Sequence, residues 1–334
     1  MTASRRSSWG AFKIGGTKVA PGKRVRVPLP VARLFTGTDL DLTVVVLRGA
    51  RPGPRVWINA AIHGDELNGI RIIRDVVRSI DPKRLSGTIL AVPVVNLYGL
   101  IHSSRYLPDR RDLNRSFPGS RRGSLASRLA RLFVDRVVEG SDVGIDLHTA
   151  GPGRTNLPHI RTNQDDPESW RLALAFGAPL VYRAGPPRGS LRALAAKRGV
   201  PILVYEAGEP LRFNRFAIDA GVAGVLRVLR TLEMWPSEVA EASPSVVGTE
   251  TRWIRAKRSG VFNTDLDLGA RVESGQEVGV ITDPFPTRGT VLRAPTSGLV
   301  MGLTVNPMVH QGDALIHVAQ TAEDAAPDDG ASSR

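Results

Sequence analysis

The chain contains no cysteine in its 334 residues, which excludes disulfides and thiolate metal ligands and leaves histidine and carboxylate as the available metal-binding chemistry. Nothing in the composition marks an oxidising compartment. No stretch approaches the roughly 18 apolar residues of a membrane span, and the basic start MTASRRSSWG lacks the apolar run of a secretory signal. A cytoplasmic protein without a membrane partner is expected. Aromatic residues are only 5% of the chain, too few for a base-stacking surface. Positive charge is abundant instead, with 45 Lys and Arg against 32 Asp and Glu, a formal charge of +13. Phosphate binding is driven by such side chains, but here the arginines are scattered through helices and loops (Arg71, Arg74, Arg78, Arg128, Arg131, Arg136) and form no block. Nucleic acid is therefore not an expected partner. A solvated basic surface that attracts anionic substrates is the expectation.

Residues 58–67, INAAIHGDEL, place His63 and Glu66 three apart, a spacing that lets one turn of backbone present a nitrogen and an oxygen to one metal. A third ligand is needed. Residues 143–147, VGIDL, read as a short buried strand, and His148 sits at its end, where open α/β sheets place their chemistry. Two histidines, one carboxylate and an open fourth position form the usual constellation of a hydrolytic zinc ion. Between these segments, residues 103–119 (SSRYLPDRRDLNRSFPG) are too polar for a core strand and are broken by two prolines. Arg105, Asn114 and Arg115 in this loop offer planar donors suited to a carboxylate and to a developing oxyanion. Residues 199–208 (GVPILVYEAG) read as a buried strand ending in an acid, Glu206, whose place near a metal suits a general base for water.

Taken in order, His-Gly-Asp-Glu, Arg-Tyr followed by Asp-Leu-Asn-Arg, Asp-Leu-His and Glu-Ala-Gly resemble the succinylglutamate desuccinylase and aspartoacylase family, a branch of the zinc carboxypeptidase fold. The resemblance covers roughly residues 50 to 235. It implies one zinc ion on His63, Glu66 and His148, with Arg105 polarising the scissile carbonyl. It also implies Asn114 and Arg115 on a substrate carboxylate, and Glu206 activating water and protonating the leaving amine. The sequence departs from aspartoacylases in two respects. Arg192 and Arg198 do not align cleanly with the arginine that those enzymes carry before the glutamate, and no tyrosine follows Tyr205. Tyr182 stands at about the distance of the mobile tyrosine of carboxypeptidases, in an unmatched motif.

A chain of this length suits one large domain plus a small one. Strand and helix alternate to about residue 233, with strands over residues 41–47, 55–60 and 87–93, and helices over 66–80 and 124–139. This predicts a zinc carboxypeptidase-like α/β/α sandwich with a mixed sheet over residues 1–235, the first 40 residues forming edge strands. Residues 236–250, rich in small and polar residues with two prolines, suit a linker. Residues 251–320 have short glycine-divided β runs and look like a small biotinyl/lipoyl-like barrel. No lysine follows Lys257 to carry a prosthetic group, so this module is expected to cover the active site. Residues 321–334 are expected to be disordered. Asp65 and Asp146 are candidate supports for a ligand histidine, His102 and His159 candidate pocket residues, and His310 and His317 surface or packing residues.

The function expected is a zinc-dependent deacylase that cleaves the amide of a small anionic N-acyl amino acid or related compound. The alternatives are carboxypeptidase-like removal of acidic residues from peptides, and a catalytically silent anion-binding protein.

Overall fold

The computed structural model describes residues 9–285, 289–321, 323 and 324. Its central feature is a mixed sheet that starts at an antiparallel edge formed by Lys23–Arg33 and Asp39–Arg48. It continues through Ser86–Val92, Arg51–Ala60, Val143–His148, Ile202–Gly208, Arg154–Thr162 and Leu180–Arg183. The inner strands Arg51–Ala60, Val143–His148 and Ile202–Gly208 run parallel. They are rich in β-branched residues and buried on both faces, as strands covered by helices must be.

Alternation along these strands divides the core. Ile58, Ala60, Ile145, Leu147 and Leu203 meet the helices Asn68–Ser79, Pro167–Phe176 and Arg215–Thr231 on one face. Trp57, Val44, Val46 and Leu90 meet Leu125–Phe133 and Leu191–Lys197 on the other. The result is the expected three-layer sandwich. Each fully buried Leu or Ile contributes about 1.5–3 kcal/mol, so the two layers fix the strand ends firmly. The helix expected from Glu66 begins only at Asn68. Glu66 thus lies in the turn that precedes it, where Glu66 N donates to His63 O at 3.2 Å. The helix expected over 124–139 is α-helical over Leu125–Phe133 and widens to a π turn over Val134–Val138.

From Val246 onward the described residues are strands and turns. Strand Val246–Arg255 begins within the segment expected to be a linker, because Val246 to Gly248 pair in parallel with Leu180 to Tyr182. It then pairs with Ala314–Thr321, which pairs with Gly298–Thr304, and that strand returns to Arg154–Thr162 through Gly302 opposite Asn156. Five strands from both halves of the chain therefore pair in a closed circuit around Leu157, Leu180, Tyr182, Leu299 and Met301. A separate sheet holds Gly260–Asn263, Glu277–Thr282, Thr290–Arg293 and Met308–Val309. The C-terminal strands are joined to the main sheet by backbone hydrogen bonds, where the sequence suggested a module hung on a linker. Thr321 closes the last strand and its N–H and hydroxyl meet the Asp324 carboxylate; the rest of the tail expected to be disordered, apart from Glu323, lies outside the described residues. Among the described residues no helix is long and apolar enough to cross a membrane.

Candidate metal centre and the cavity around it

The strand Arg51–Ala60 ends at Ala61, whose φ of 49° turns the chain. The turn carries His63 back over the sheet end. Gly64 lets this segment lie against the next loop, since a methyl there would collide with the backbone of Gly99 and Leu100. Its N–H donates to Ser104 O at 3.0 Å. His148 ends the neighbouring strand. One ligand atom from each of His63, Glu66 and His148 lies within 4.8 Å of the others.

The Glu66 carboxylate sits between the two rings, Oε1 2.6 Å from His63 Nδ1 and Oε2 2.8 Å from His148 Nδ1. Both imidazoles thus present Nδ1 inward. Their Nε2 atoms face second carboxylates, Asp112 at 3.3 Å for His63 and Asp146 at 2.9 Å for His148. These are close approaches with the N–H off line, so neither Nε2 makes a well-aligned hydrogen bond. Burial alone would raise the Glu66 carboxyl, but the two imidazoles outweigh it and hold that group well below the usual carboxylate range. Burial would lower the His148 imidazole, and Asp146 and Glu66 outweigh it and raise it. Two imidazoles around one carboxylate, each backed by a further carboxylate, is a donor set suited to a divalent zinc ion. All three side chains are buried, so charge gathered here without a cation would be costly. The residues fit the metal.

Asp146 is held in turn. Asn59, its register partner on the adjacent strand, donates Nδ2–H to Asp146 Oδ1 at 2.6 Å, and Trp57 Nε1–H donates to Asn59 Oδ1 at 2.9 Å. Asp112 receives Arg105 through Nε at 3.2 Å and NH2 at 3.0 Å, and accepts Asn114 N–H at 2.7 Å. It had no assigned role in the sequence, although it opens the Asp-Leu-Asn-Arg motif. Asp65, expected as such a support, is buried with an Oδ1 that meets no donor among the described residues.

Arg105 NH1 stands 3.2 Å from His63 Nδ1 and 3.5 Å from Glu66 Oε1, beside the ligand atoms. Asn114 Oδ1 accepts from Leu191 N–H, tying this loop to the helix Leu191–Lys197, and Arg115 is exposed at the cavity wall. Glu206 is the register partner of His148 on the next parallel strand. All seven expected site residues line one cavity of about 320 Å³.

The other residues named from the sequence take varied places. Arg198 points outward to Glu139. Arg192 is buried at the cavity but donates to the carbonyls of Thr162, Ala184 and Gly185. His102 is exposed at a helix end and does not line the cavity. His159 lies behind the wall, fully buried, and Tyr182 is packed against it at 5.6 Å in a strand rather than on a mobile loop. His317, expected at the surface or in packing, is packed flat on Trp253 and with it also lines the cavity.

Arg161 was also missed. It reaches the cavity with NH1 3.7 Å from Glu206 Oε1. Burial and the nearby Arg161 push His159 well below its ordinary value, so its ring is neutral. Nδ1 lies 2.8 Å from Leu157 O and carries the hydrogen, leaving Nε2 to accept Arg161 Nε–H at 3.3 Å. The strand alternation that pairs His159 with Arg161 was the available signal. For Trp253 and His317 no local signal exists, because the strand circuit alone brings them here.

Comparison with known proteins extends these observations. The model of the succinylglutamate desuccinylase/aspartoacylase catalytic domain matches residues 52–232. The N-alpha-acetyl-L-2,4-diaminobutyric acid deacetylase of Halomonas elongata is 27% identical, with 90% of this chain and 91% of that protein covered. A succinylglutamate desuccinylase/aspartoacylase from Rhodobacter sphaeroides superposes with a TM-score of 0.80 at 26% identity, over 90% of this chain and 95% of the other. The product-bound ectoine utilization protein EutE (DoeB) of Ruegeria pomeroyi gives a TM-score of 0.80 over the same shares at 20% identity, a likeness of fold.

Proposed function

Because this chain belongs to the succinylglutamate desuccinylase/aspartoacylase family, we propose that it is a zinc-dependent amidohydrolase that removes the acyl group from a small anionic N-acyl amino acid or related amine. The observation that carries the reading is the meeting of the His63, Glu66 and His148 ligand atoms within 4.8 Å, with Glu206 in register beside His148. A zinc ion held by those three residues would supply Lewis-acid polarisation and a more acidic water.

The chain's own residues account for the remaining steps. Glu206 takes a proton from the attacking water as its oxygen bonds to the acyl carbon, and returns that proton to the nitrogen as the C–N bond breaks. Arg105 stabilises the oxyanion that develops on the carbonyl oxygen, a role supported by its closeness to the ligand atoms. Its Nε and NH2 groups both donate to Asp112 Oδ2, which holds it in one geometry. Arg115, a planar fork at the cavity wall, and the Asn114 amide bind the substrate carboxylate.

We read the C-terminal strands as a small biotinyl/lipoyl-like barrel whose work is to cover the site, since Trp253 and His317 enter the cavity wall. A cavity of about 320 Å³ so walled favours a small N-acyl compound over a peptide. The test is metal content by elemental analysis, followed by a screen of N-acyl amino acids and glutamate-terminated peptides. Glu206→Gln should keep the zinc and the substrate affinity while turnover falls by about 100-fold to 10,000-fold, the range of general acid–base catalysis. Near wild-type turnover in that variant would refute the mechanism, and a protein with neither zinc nor turnover would be a silent binder.

A further inference from the structure

His317 is only 7% exposed and lines the cavity, yet among the described residues its ring nitrogens meet no hydrogen-bond partner. A ring nitrogen that no protein group engages, at the wall of a cavity, is free to meet a ligand placed there. Its position is tightly set. His317 and Trp253 are register partners on adjacent strands, and their rings stack 4.2 Å apart at an interplanar angle of 4°. The Arg154 guanidinium lies 4.9 Å from the centre of the Trp253 ring. Arg161 spends its Nε–H on His159 and turns its end groups to the cavity, with Glu206 at 3.7 Å.

We propose that His317 is a specificity-determining residue, whose imidazole, held flat on Trp253, donates a hydrogen bond to an anionic oxygen group of the substrate between Arg154 and Arg161. Burial, then Arg161 and Arg154, push the imidazole down to about 3, so it acts as a neutral donor beside two fixed cations. That combination suits a carboxylate additional to the one bound by Arg115. The C-terminal strands thereby select the substrate as well as cover it. The inference rests on the deacylase reading for the identity of the cavity, but its test requires no turnover.

The full chain, zinc-loaded and carrying Glu206→Gln so that ligands persist, is titrated calorimetrically with N-acetyl-L-alanine, N-acetyl-L-aspartate and N-succinyl-L-alanine. The first has one carboxylate. The second adds another on the amino acid side, and the third adds it on the acyl side. One of the two dicarboxylates should bind about tenfold or more tighter than N-acetyl-L-alanine, equivalent to about 1.4 kcal/mol. His317→Phe keeps the ring stack and removes the donor. It should erase most of that preference while leaving N-acetyl-L-alanine binding and the melting temperature near their starting values, and His317→Gln should restore part of it. Equal affinity for all three ligands, or a loss in His317→Phe shared equally by all three, would overturn the inference and leave the deacylase mechanism standing.

Discussion

Replacing Asp146 by Asn should weaken zinc binding by putting a ligand histidine into the wrong tautomer. Trp57 Nε1–H can only donate, so it fixes Asn59 Oδ1 at 2.9 Å and forces Asn59 Nδ2–H towards position 146. In Asp146→Asn the amide oxygen must therefore take the Asn59 side. The new NH2 group then faces His148 Nε2, where the native carboxylate oxygen stands at 2.9 Å. His148 answers by moving its proton to Nδ1, the atom that faces Glu66 at 2.8 Å and would bind the metal. Loss of a carboxylate behind a metal-ligating histidine costs about 10-fold to 100-fold in affinity, which is about 1.4–2.7 kcal/mol. The measurement is competition with a chromogenic zinc chelator, with circular dichroism to show that the variant is folded. Trp57→Phe is the matched control. It releases Asn59 but leaves a carboxylate that can only accept, so zinc affinity should stay near wild type despite some lost core packing. If Asp146→Asn holds zinc as tightly as the parent, the chain from Trp57 to His148 does not set the tautomer.

Two further substitutions probe the same cavity. His148→Ala should lose most of the zinc by elemental analysis and keep the fold, because the sheet positions the strand end without the metal; stoichiometric zinc in that variant would remove His148 from the ligand set. Arg115→Lys exchanges a planar fork for a point charge and should raise the Michaelis constant for anionic substrates by about tenfold or more. An unchanged constant would shift the carboxylate to Arg161 or Arg154, since Arg192 is occupied by backbone carbonyls and Arg198 faces outward.

What could be read from the sequence was what is encoded locally. His63 and Glu66 share one turn, and the apolar runs leading to His148 and Glu206 are buried parallel strands that set the two residues side by side in register, the second strand running on to Gly208. The ordered motifs carried the rest of the expected set, and all seven residues line one cavity. Asp112 stood within a motif already singled out, but nothing local indicates that its carboxylate reaches both His63 and Arg105.

The residues that were missed depend on pairings between distant strands. Reading residues 236–250 as a linker followed from their small and polar composition, and that reading separated the C-terminal strands from the site. Backbone pairing at Val246 to Gly248 and at Gly302 to Thr304 overrides the composition. Once the strand circuit closes, Trp253 and His317 have a fixed place at the cavity. The same circuit presents Arg154 and Arg161 from the catalytic side, on the strand Arg154–Thr162 that pairs with Gly298–Thr304. The half of the cavity that holds His63, Glu66 and His148 is therefore built from strand ends and turns of the sandwich. The opposite half is built from strands of both halves of the chain, so substitutions in the C-terminal strands should change which substrate is accepted before they change how the amide is cut.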